Sequence, residues 1–340
     1  MKTLIIGGSG FIGTNLIGQL TASHDILNFD KNKSTKYSSV TTIVDIRDMD
    51  NLNTHFTSDI SSVVLLAAEH RDDVAPLSLY YDVNVQGTQN VIDVCKKRKI
   101  NKIIFTSSVA VYGLNMNNPS ESTPVNPFNH YGESKWQAEQ LLMKWQAESL
   151  ERSLVIIRPT VVFGPGNKGN VYNLLSQIIS GKFMMVGRGK NKKSLAYVDN
   201  VAGFIEFSLE TNEPGAKVYN YIDTPDLSIN ELLQFVEKFL NKKISSVRIP
   251  YLFGFSAAKC IDMIAKLTKK KYAVSGVRVK KFCATTQFSS KKMMESGYLP
   301  KVSLHQGLHS TLQSITEELD SKTGSVKVMS SNVYKVKEAN

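Results

Sequence analysis

The hydrophobic positions of the chain fall into two rhythms. From Lys2 to about Leu154, short β-branched runs at Thr3 to Ile6, Ile26 to Phe29, Thr41 to Val44, Val63 to Leu66, Lys102 to Thr106 and Leu154 to Ile157 alternate with helix-length segments. Most of these runs are apolar without strict alternation, as expected of strands whose two faces are both covered by helices. Between them, apolar residues at helical spacing predict helices at Phe11 to Thr21, Leu79 to Lys97 and Tyr131 to Glu148, the last with Leu141, Leu142 and Trp145 as its apolar positions. Such alternation reads as successive βαβ units, an α/β fold with a doubly wound parallel sheet. After Gly164 the rhythm loosens into loops and short helices, with a Gly/Asn-rich stretch at 164–170 and a basic one at 188–193, which reads as a smaller C-terminal region. The tail from 321 to 340, rich in Ser, Lys and Val without helical period, is expected to be mobile.

Composition narrows the class. Hydrophobic residues at 42% and charged residues at 21% suit an ordinary globular protein and exclude collagen-like, disordered and coiled-coil chains. Cys95, Cys260 and Cys283 lie far apart with no CxxC pair, which points to a reducing compartment without a disulfide framework or zinc site. The net charge of +11 is concentrated: residues 241 to 340 carry 18 Lys and Arg against 6 Asp and Glu. With no recognition-helix or aromatic-interleaved basic motif, the expected partner is an anionic lipid or substrate and not a nucleic acid. The apolar run at the N-terminus is too short for a signal peptide, so the protein is expected in the cytoplasm.

Two constellations carry chemistry. Gly7-Gly8-Ser9-Gly10-Phe11-Ile12-Gly13 follows the first strand and opens the first helix. Glycines at 7, 10 and 13 permit a tight turn, a close approach of backbone N–H groups to a pyrophosphate, and close helix–strand packing, the Rossmann-like arrangement for a dinucleotide. Asp30 ends the second strand, where a carboxylate can bond the ribose hydroxyls and repel a 2′-phosphate, favouring NAD. A plain tight turn and an exposed turn carboxylate are the alternatives at these positions. The second constellation is Tyr131-Gly132-Glu133-Ser134-Lys135, whose i, i+4 spacing puts phenol and ammonium on one helix face. A neighbouring ammonium is expected to lower the phenol toward working pH and make it a general base for a sugar hydroxyl. Ser107 and Ser108 leave the fifth strand at its C-terminal end, where parallel sheets hold ligands, so Ser108 can bond the same hydroxyl.

Taken with Asp45-Ile46-Arg47-Asp48, Leu66-Ala67-Ala68, Asn84-Val85-Gln86-Gly87-Thr88, Arg158-Pro159-Thr160 and Gly297-Tyr298-Leu299-Pro300, these motifs resemble the extended short-chain dehydrogenase/reductases, the NAD-dependent epimerase/dehydratase family, over about residues 1 to 310. The resemblance implies a catalytic trio of Ser108, Tyr131 and Lys135. It also implies NAD held by Gly7, Gly10, Phe11, Ile12, Gly13, Asp30, Asp45, Ile46, Leu66, Ala67, Ala68, Asn84 and Thr160, with Tyr131 and Lys135. On this basis residues 1–163 are the NAD-binding domain and residues 164–320 a substrate-binding region interleaved with it. Val109 and Ala110 stand where dehydrating members carry an acid, which leaves oxidation and re-reduction at one carbon as the implied reaction. A homodimer is usual in such a family.

Finer stretches at Leu65 to Val74, Asn129 to Tyr131, Gly169 to Leu175 and Lys271 to Ser275 resemble the branch of the family that epimerises C4 of N-acetylglucosamine on undecaprenyl diphosphate, for O-antigen and surface glycans. Ser107, Ser108, Asn170, Asn173, Lys193 and Arg278 are then the implied substrate residues, the last two for the diphosphate. Cys283 and Thr285 would leave room for an N-acetyl group. Residues 250–271 independently read as an amphipathic segment too short and too charged to cross a bilayer, ending in Lys269-Lys270-Lys271. It suits an anionic membrane surface, here the cytoplasmic face of the inner membrane, and equally a cap helix packed on the protein's own core. A soluble nucleotide-sugar 4-epimerase and a non-catalytic dinucleotide sensor remain as alternatives. Glu69-His70-Arg71-Asp72-Asp73 lacks metal-ligand spacing, so no metal is expected, and reads as a cofactor-lining or substrate-gating loop.

Overall fold

A computed structural model of the chain describes residues 2–71, 74–114, 116–211, 213–244, 247–268 and 275–323. Its strands are β1 (Lys2–Ile6), β2 (Asp25–Asp30), β3 (Thr41–Ile43), β4 (Ile60–Leu65), β5 (Lys102–Thr106), β6 (Ser153–Pro159), β7 (Val161–Phe163), β8 (Met185–Val186), β9 (Lys192–Tyr197), β10 (Gly215–Tyr221), β11 (Asp223–Ser228) and β12 (Arg248–Ile249). The first six are the predicted strands. With β10 they form one parallel sheet in the order β10-β6-β5-β4-β1-β2-β3, while β11-β9-β7 and β12-β8 make small sheets. Every residue of β5 and β6 is buried, which is why neither alternates polar with apolar.

The helices are α1 (Phe11–Leu20), α2 (Met49–His55), α3 (Ser78–Tyr81), α4 (Gly87–Arg98), α5 (His130–Ala147), α6 (Asn170–Ile179), α7 (Val198–Glu210), α8 (Ile229–Leu240), α9 (Tyr251–Thr268), α10 (Gly276–Cys283), α11 (Lys291–Met294) and α12 (Leu304–Thr323). One face of the large sheet is covered by α2, α4 and α5 through Leu52, Val91, Cys95, Leu142 and Trp145. The other is covered by α1 and α7 through Leu16, Ile17, Leu20, Phe204 and Ile205. A separate apolar cluster joins α6, α8, α12 and the β11-β9-β7 sheet. The chain leaves the large sheet after Pro159, returns to it as α7 and β10, and leaves again.

Two expectations are corrected, at the helix over 79–97 and at the start of the tail. The predicted helix from Leu79 to Lys97 is interrupted by one π-helical turn, Asp82–Gln86, between α3 and α4; apolar spacing does not register one extra residue in a turn. Arg278 and Lys280, expected at the diphosphate and in a basic stretch, lie on helix α10. Helix α12 continues to Thr323, beyond the predicted start of the tail, and residues 324–340 lie outside the described residues, as do Lys269, Lys270 and Lys271.

The turn between β1 and α1 is packed to its limit. A Cβ on Gly13 would stand 2.4 Å from the Gly8 Cα, a backbone atom with no room to move. Gly13→Ala is expected to cost about 1–3 kcal/mol by overpacking, read as a lower midpoint of thermal unfolding, and an unchanged midpoint would show the turn to be looser than described.

Candidate active site

The site begins where β1 ends. The Ile6 carbonyl accepts from both Leu66 N–H and Ala67 N–H at 2.8 Å, toward β4, while Gly7 N–H turns the other way to the Phe29 carbonyl of β2 at 2.7 Å. The sheet parts there, and the crevice forms outside the C-terminal ends of its strands. Gly7 has φ +91°, and a Cβ on it would lie 2.5 Å from Ala67 N, so only glycine fits. Helix α1 starts at Gly10 with no side-chain cap and no acidic residue in its first turn. Its first N–H groups and positive dipole end are therefore available to an anion.

A cavity of about 710 Å³ fills the crevice. Gly7, Gly10, Phe11, Ile12, Gly13, Asp30, Asp45, Ile46, Leu66, Ala67, Ala68, Ser107, Ser108, Tyr131, Lys135, Thr160 and Asn170 all line it. The Asp30 carboxylate accepts Ser9 N–H at 3.0 Å and Asn32 N–H at 2.8 Å, which fixes it at the end of β2 with acceptor capacity to spare. The Arg47 guanidinium chelates the Asp45 carboxylate at 2.6 Å and holds it below its ordinary range. Ser107 Oγ and Thr160 Oγ1 are buried hydroxyls with no partner among the described residues, both on the cavity wall. Unpaired buried hydroxyls at a cavity wall call for a polar ligand.

The three side chains expected to react, Ser108, Tyr131 and Lys135, converge on the cavity from the end of β5 and from α5. Asn129 caps α5, its side chain accepting Gly132 N–H at 2.8 Å, so Tyr131 and Lys135 sit in the first turns with one face toward the cavity. The Tyr131 hydroxyl is hydrogen-bonded to Ser108, and Ser108 Oγ accepts Ala110 N–H at 3.1 Å. Lys135 is 1% exposed, with its ammonium 4.0 Å from the centre of the Phe105 ring. The expected lowering of the phenol is corrected here. Burial raises Tyr131 above its ordinary value, outweighing the hydrogen bond to Ser108, and burial pushes Lys135 down to about 7 against the pull of Glu139. Deprived of water, each group is driven toward its neutral form.

Other expected residues are placed differently. Asn84 does not line the cavity; its side chain accepts Glu69 N–H at 2.8 Å and donates to the Glu69 carbonyl at 3.0 Å and to Ser134 Oγ at 2.9 Å. It is a strut between the π-helical turn, α5 and the loop after β4. That loop does border the cavity through Glu69, His70 and Arg71, as read from sequence. Asn173 is exposed on α6 and is not among the lining residues. Lys193 is turned away from the cavity: its ammonium donates to the Lys281 carbonyl at 2.9 Å and the Ala284 carbonyl at 2.6 Å, tying β9 to the last turn of α10 and the residue after it. The Arg278 side chain lies outside the described residues. Sequence reasoning misses a second cavity of about 510 Å³, lined by Arg188, Lys190, Lys280, Tyr251 and Cys283. Its signal is present in the basic run 188–193, from which the family resemblance singles out Lys193 alone.

The main cavity fits NAD: an uncapped helix N-terminus for the pyrophosphate, Asp30 for a ribose, and two unpartnered hydroxyls on the same wall as Ser108, Tyr131 and Lys135. Known proteins agree. The chain is 56% identical over 313 residues, 92% of its length and 94% of the other, to the N-acetyl-α-D-glucosaminyl-diphospho-ditrans,octacis-undecaprenol 4-epimerase of Escherichia coli O157:H7. Its fold matches the crystal structure of UDP-glucuronic acid 4-epimerase from Bacillus cereus in complex with NAD, with TM-score 0.73 over 94% of this chain and 99% of that one at 22% identity. It matches the Thermus thermophilus UDP-glucose 4-epimerase complex with NAD equally, with TM-score 0.73 over 93% and 99% at 21% identity. Residues 3–221 match the NAD dependent epimerase/dehydratase family, so the crevice at the end of β1, the Tyr131–Lys135 pair on α5 and the rest of the chain belong to an NAD-dependent member of that family.

Proposed function

We propose that this protein is a 4-epimerase interconverting N-acetylglucosamine and N-acetylgalactosamine on undecaprenyl diphosphate, for O-antigen or related surface polysaccharide. The observation that carries the reading is the 56% identity to the Escherichia coli enzyme across 92% of this chain and 94% of that one.

The residues support the chemistry step by step. Tyr131 as phenolate takes the proton of the sugar 4-hydroxyl, and Ser108, hydrogen-bonded to Tyr131, shares that hydroxyl and steadies the oxygen as it becomes a carbonyl. A neutral phenol and neutral amine hold as many protons as a phenolate and an ammonium. The pair therefore reaches its reactive state by an internal proton shift, with the Lys135 charge stabilising the phenolate. Held by the glycine turn at the start of α1 and by Asp30, NAD would supply a hydride acceptor and donor for C4, so no external redox partner would be consumed. The 4-keto sugar turns over between the two transfers, and Tyr131 returns its proton to the opposite epimer. Val161, 43% exposed on the cavity wall, offers an apolar contact where nucleotide-sugar epimerases carry an Asn.

The carrier reading draws on the second cavity and its surroundings. Arg188, Lys190 and Lys280 gather cations suited to a diphosphate, the role the resemblance implies for Lys193, whose ammonium is engaged elsewhere. Beside them, Met184 (58% exposed), Val247 (65%), Leu252 (75%) and Phe253 (74%) form an apolar edge around β8, β12 and the first turn of α9. Helix α9 buries Gly254 and Ala258, small residues, and exposes Tyr251, Leu252, Phe253, Met263 and Ile264. An apolar edge flanked by Arg248 and Lys259 suits peripheral attachment to an anionic membrane, where the lipid tail of the substrate remains. No helix among the described residues is long and apolar enough to cross a membrane. Pairing of two copies through α4 and α5, where Met143 is 42% exposed, is the dimer we infer.

Purified protein with NAD is expected to yield galactosamine from N-acetylglucosaminyl-diphospho-undecaprenol and none from UDP-N-acetylglucosamine, as identified after acid hydrolysis. Product from the UDP-sugar would instead place it with the nucleotide-sugar enzymes. In the same assay Tyr131→Phe should lower kcat by about 10²–10⁴-fold, the usual worth of a positioned acid–base group; full activity would remove Tyr131 from the chemistry. Sedimentation with anionic phospholipid vesicles should weaken at least about tenfold in Leu252→Asp/Phe253→Asp, since each side chain is worth about 1.5–3 kcal/mol when buried. Unchanged binding would make that edge a protein contact.

A further inference from the structure

Beneath the catalytic pair lies a row of buried polar groups that the mechanism above leaves unused. One helical turn beyond Lys135, on the same face of α5, Glu139 is 1% exposed. Its Oε1 accepts Arg158 Nε at 2.9 Å and its Oε2 accepts Arg158 Nη2 at 2.5 Å, a two-pronged pair reaching across to β6. Arg158 Nη1 donates to the Tyr112 hydroxyl at 2.7 Å, and that hydroxyl donates to Asn220 Oδ1 of β10 at 2.8 Å. Arg158 is 4% exposed, and Tyr112 and Asn220 are fully buried. Burying two ions costs several kcal/mol each in desolvation, and a hydrophobic replacement is often as stable. The pair therefore calls for a role besides stability.

Lys135 supplies one. Among the described residues, Glu139 is the carboxylate whose field bears on Lys135, and it opposes the burial that drives the ammonium toward neutrality. Glu139 acts on Lys135 and is itself held by the two hydrogen bonds from Arg158. The other titratable groups facing this region are Tyr131 on α5 itself, Tyr80 of α3 against the Tyr131 ring at 6.4 Å, Tyr112 in the turn after β5, and Glu69 and His70 on the cavity wall. Glu69 is engaged by Arg71 at 3.1 Å, and Tyr81 and His130 pair with each other at the exposed start of α5.

We propose that Glu139 is a positioning residue of the reaction acting through Lys135: clamped by Arg158, its carboxylate keeps the buried lysine an ammonium while Tyr131 exchanges its proton with the sugar. The proposal rests on Tyr131 and Lys135 being the reacting pair.

The test is the pH dependence of kcat/KM for epimerisation of N-acetylglucosaminyl-diphospho-undecaprenol by the full-length protein with NAD. It compares wild type with Glu139→Asp, Glu139→Gln and the double variant Glu139→Gln/Arg158→Met. The double variant removes both charges and leaves a neutral core, the exchange that buried ion pairs tolerate best. In Glu139→Gln and in the double variant the alkaline limb should move to lower pH by about one unit, a tenfold smaller ammonium fraction at the wild-type limb. Glu139→Asp, which keeps the charge, should stay near wild type. A folded double variant whose alkaline limb stays at the wild-type pH overturns the proposal, whatever its kcat, and leaves the pair as scaffolding. If Glu139→Gln unfolds, the double variant decides; if both unfold, Glu139→Asp decides, because a limb displaced as far as full charge removal predicts would contradict a role for the charge. Failure of the underlying reading looks different, since Tyr131→Phe would then keep wild-type activity.

Discussion

The parting of β2 and β4 at the last residue of β1 is the constraint on which the site depends. One carbonyl, that of Ile6, takes two N–H groups from the β4 side, and the next N–H crosses to β2. No side chain fits at Gly7, and none caps α1. The crevice is thus framed by backbone groups already engaged in the sheet's own hydrogen bonds, and the free donors that face it are the first N–H groups of α1. β5 and α5 then need only deliver Ser108, Tyr131 and Lys135 to the mouth of a groove that already exists.

Three lysines withdrawn from water, Lys102 and Lys135 buried and Lys193 half-buried, show how far surroundings decide what a charge does. Lys102 donates to the Leu209 carbonyl and, at 2.8 Å, to the Thr211 carbonyl, finishing the C-terminal end of α7. Lys193 ties two carbonyls at the C-terminal end of α10 to β9. Lys135 faces a cavity, a phenol and an aromatic ring. Burial lowers all three, Lys102 and Lys193 to about 8 and Lys135 to about 7. The shift alone does not distinguish a staple from a reacting group; the company each ammonium keeps does.

Much of this is legible in the sequence. Six parallel strands, the glycine turn, Asp30 and the Tyr131–Lys135 spacing follow from local pattern, because each is set by neighbours within a few residues or by burial on both faces. What stays hidden there depends on contacts between distant segments. Asn84 is expected at the cofactor, and its role as strut emerges only when Ser134 and Glu69 are brought to it. Lys193 looks available because nothing local says that the carbonyls of Lys281 and Ala284 lie against it. The Glu139–Arg158 pair leaves a faint trace, an arginine closing an otherwise apolar strand, without a hint of its partner. The seventh strand, β10, comes from a weakly apolar segment that pairs with β6 along one edge.

The placement of Arg188, Lys190 and Lys280 bears on how such an enzyme changes allegiance over evolutionary time. On the proposed reading these cations, on segments after residue 164, hold the substrate's diphosphate, while the acid–base groups Ser108, Tyr131 and Lys135 stand after β5 and on α5 against the large sheet. A lineage can therefore rebuild the cradle for the substrate's handle, exchanging a nucleoside for a lipid, without disturbing the atoms that move hydride and proton. Divergence in what is recognised and constancy in what is done are written into separate stretches of one chain.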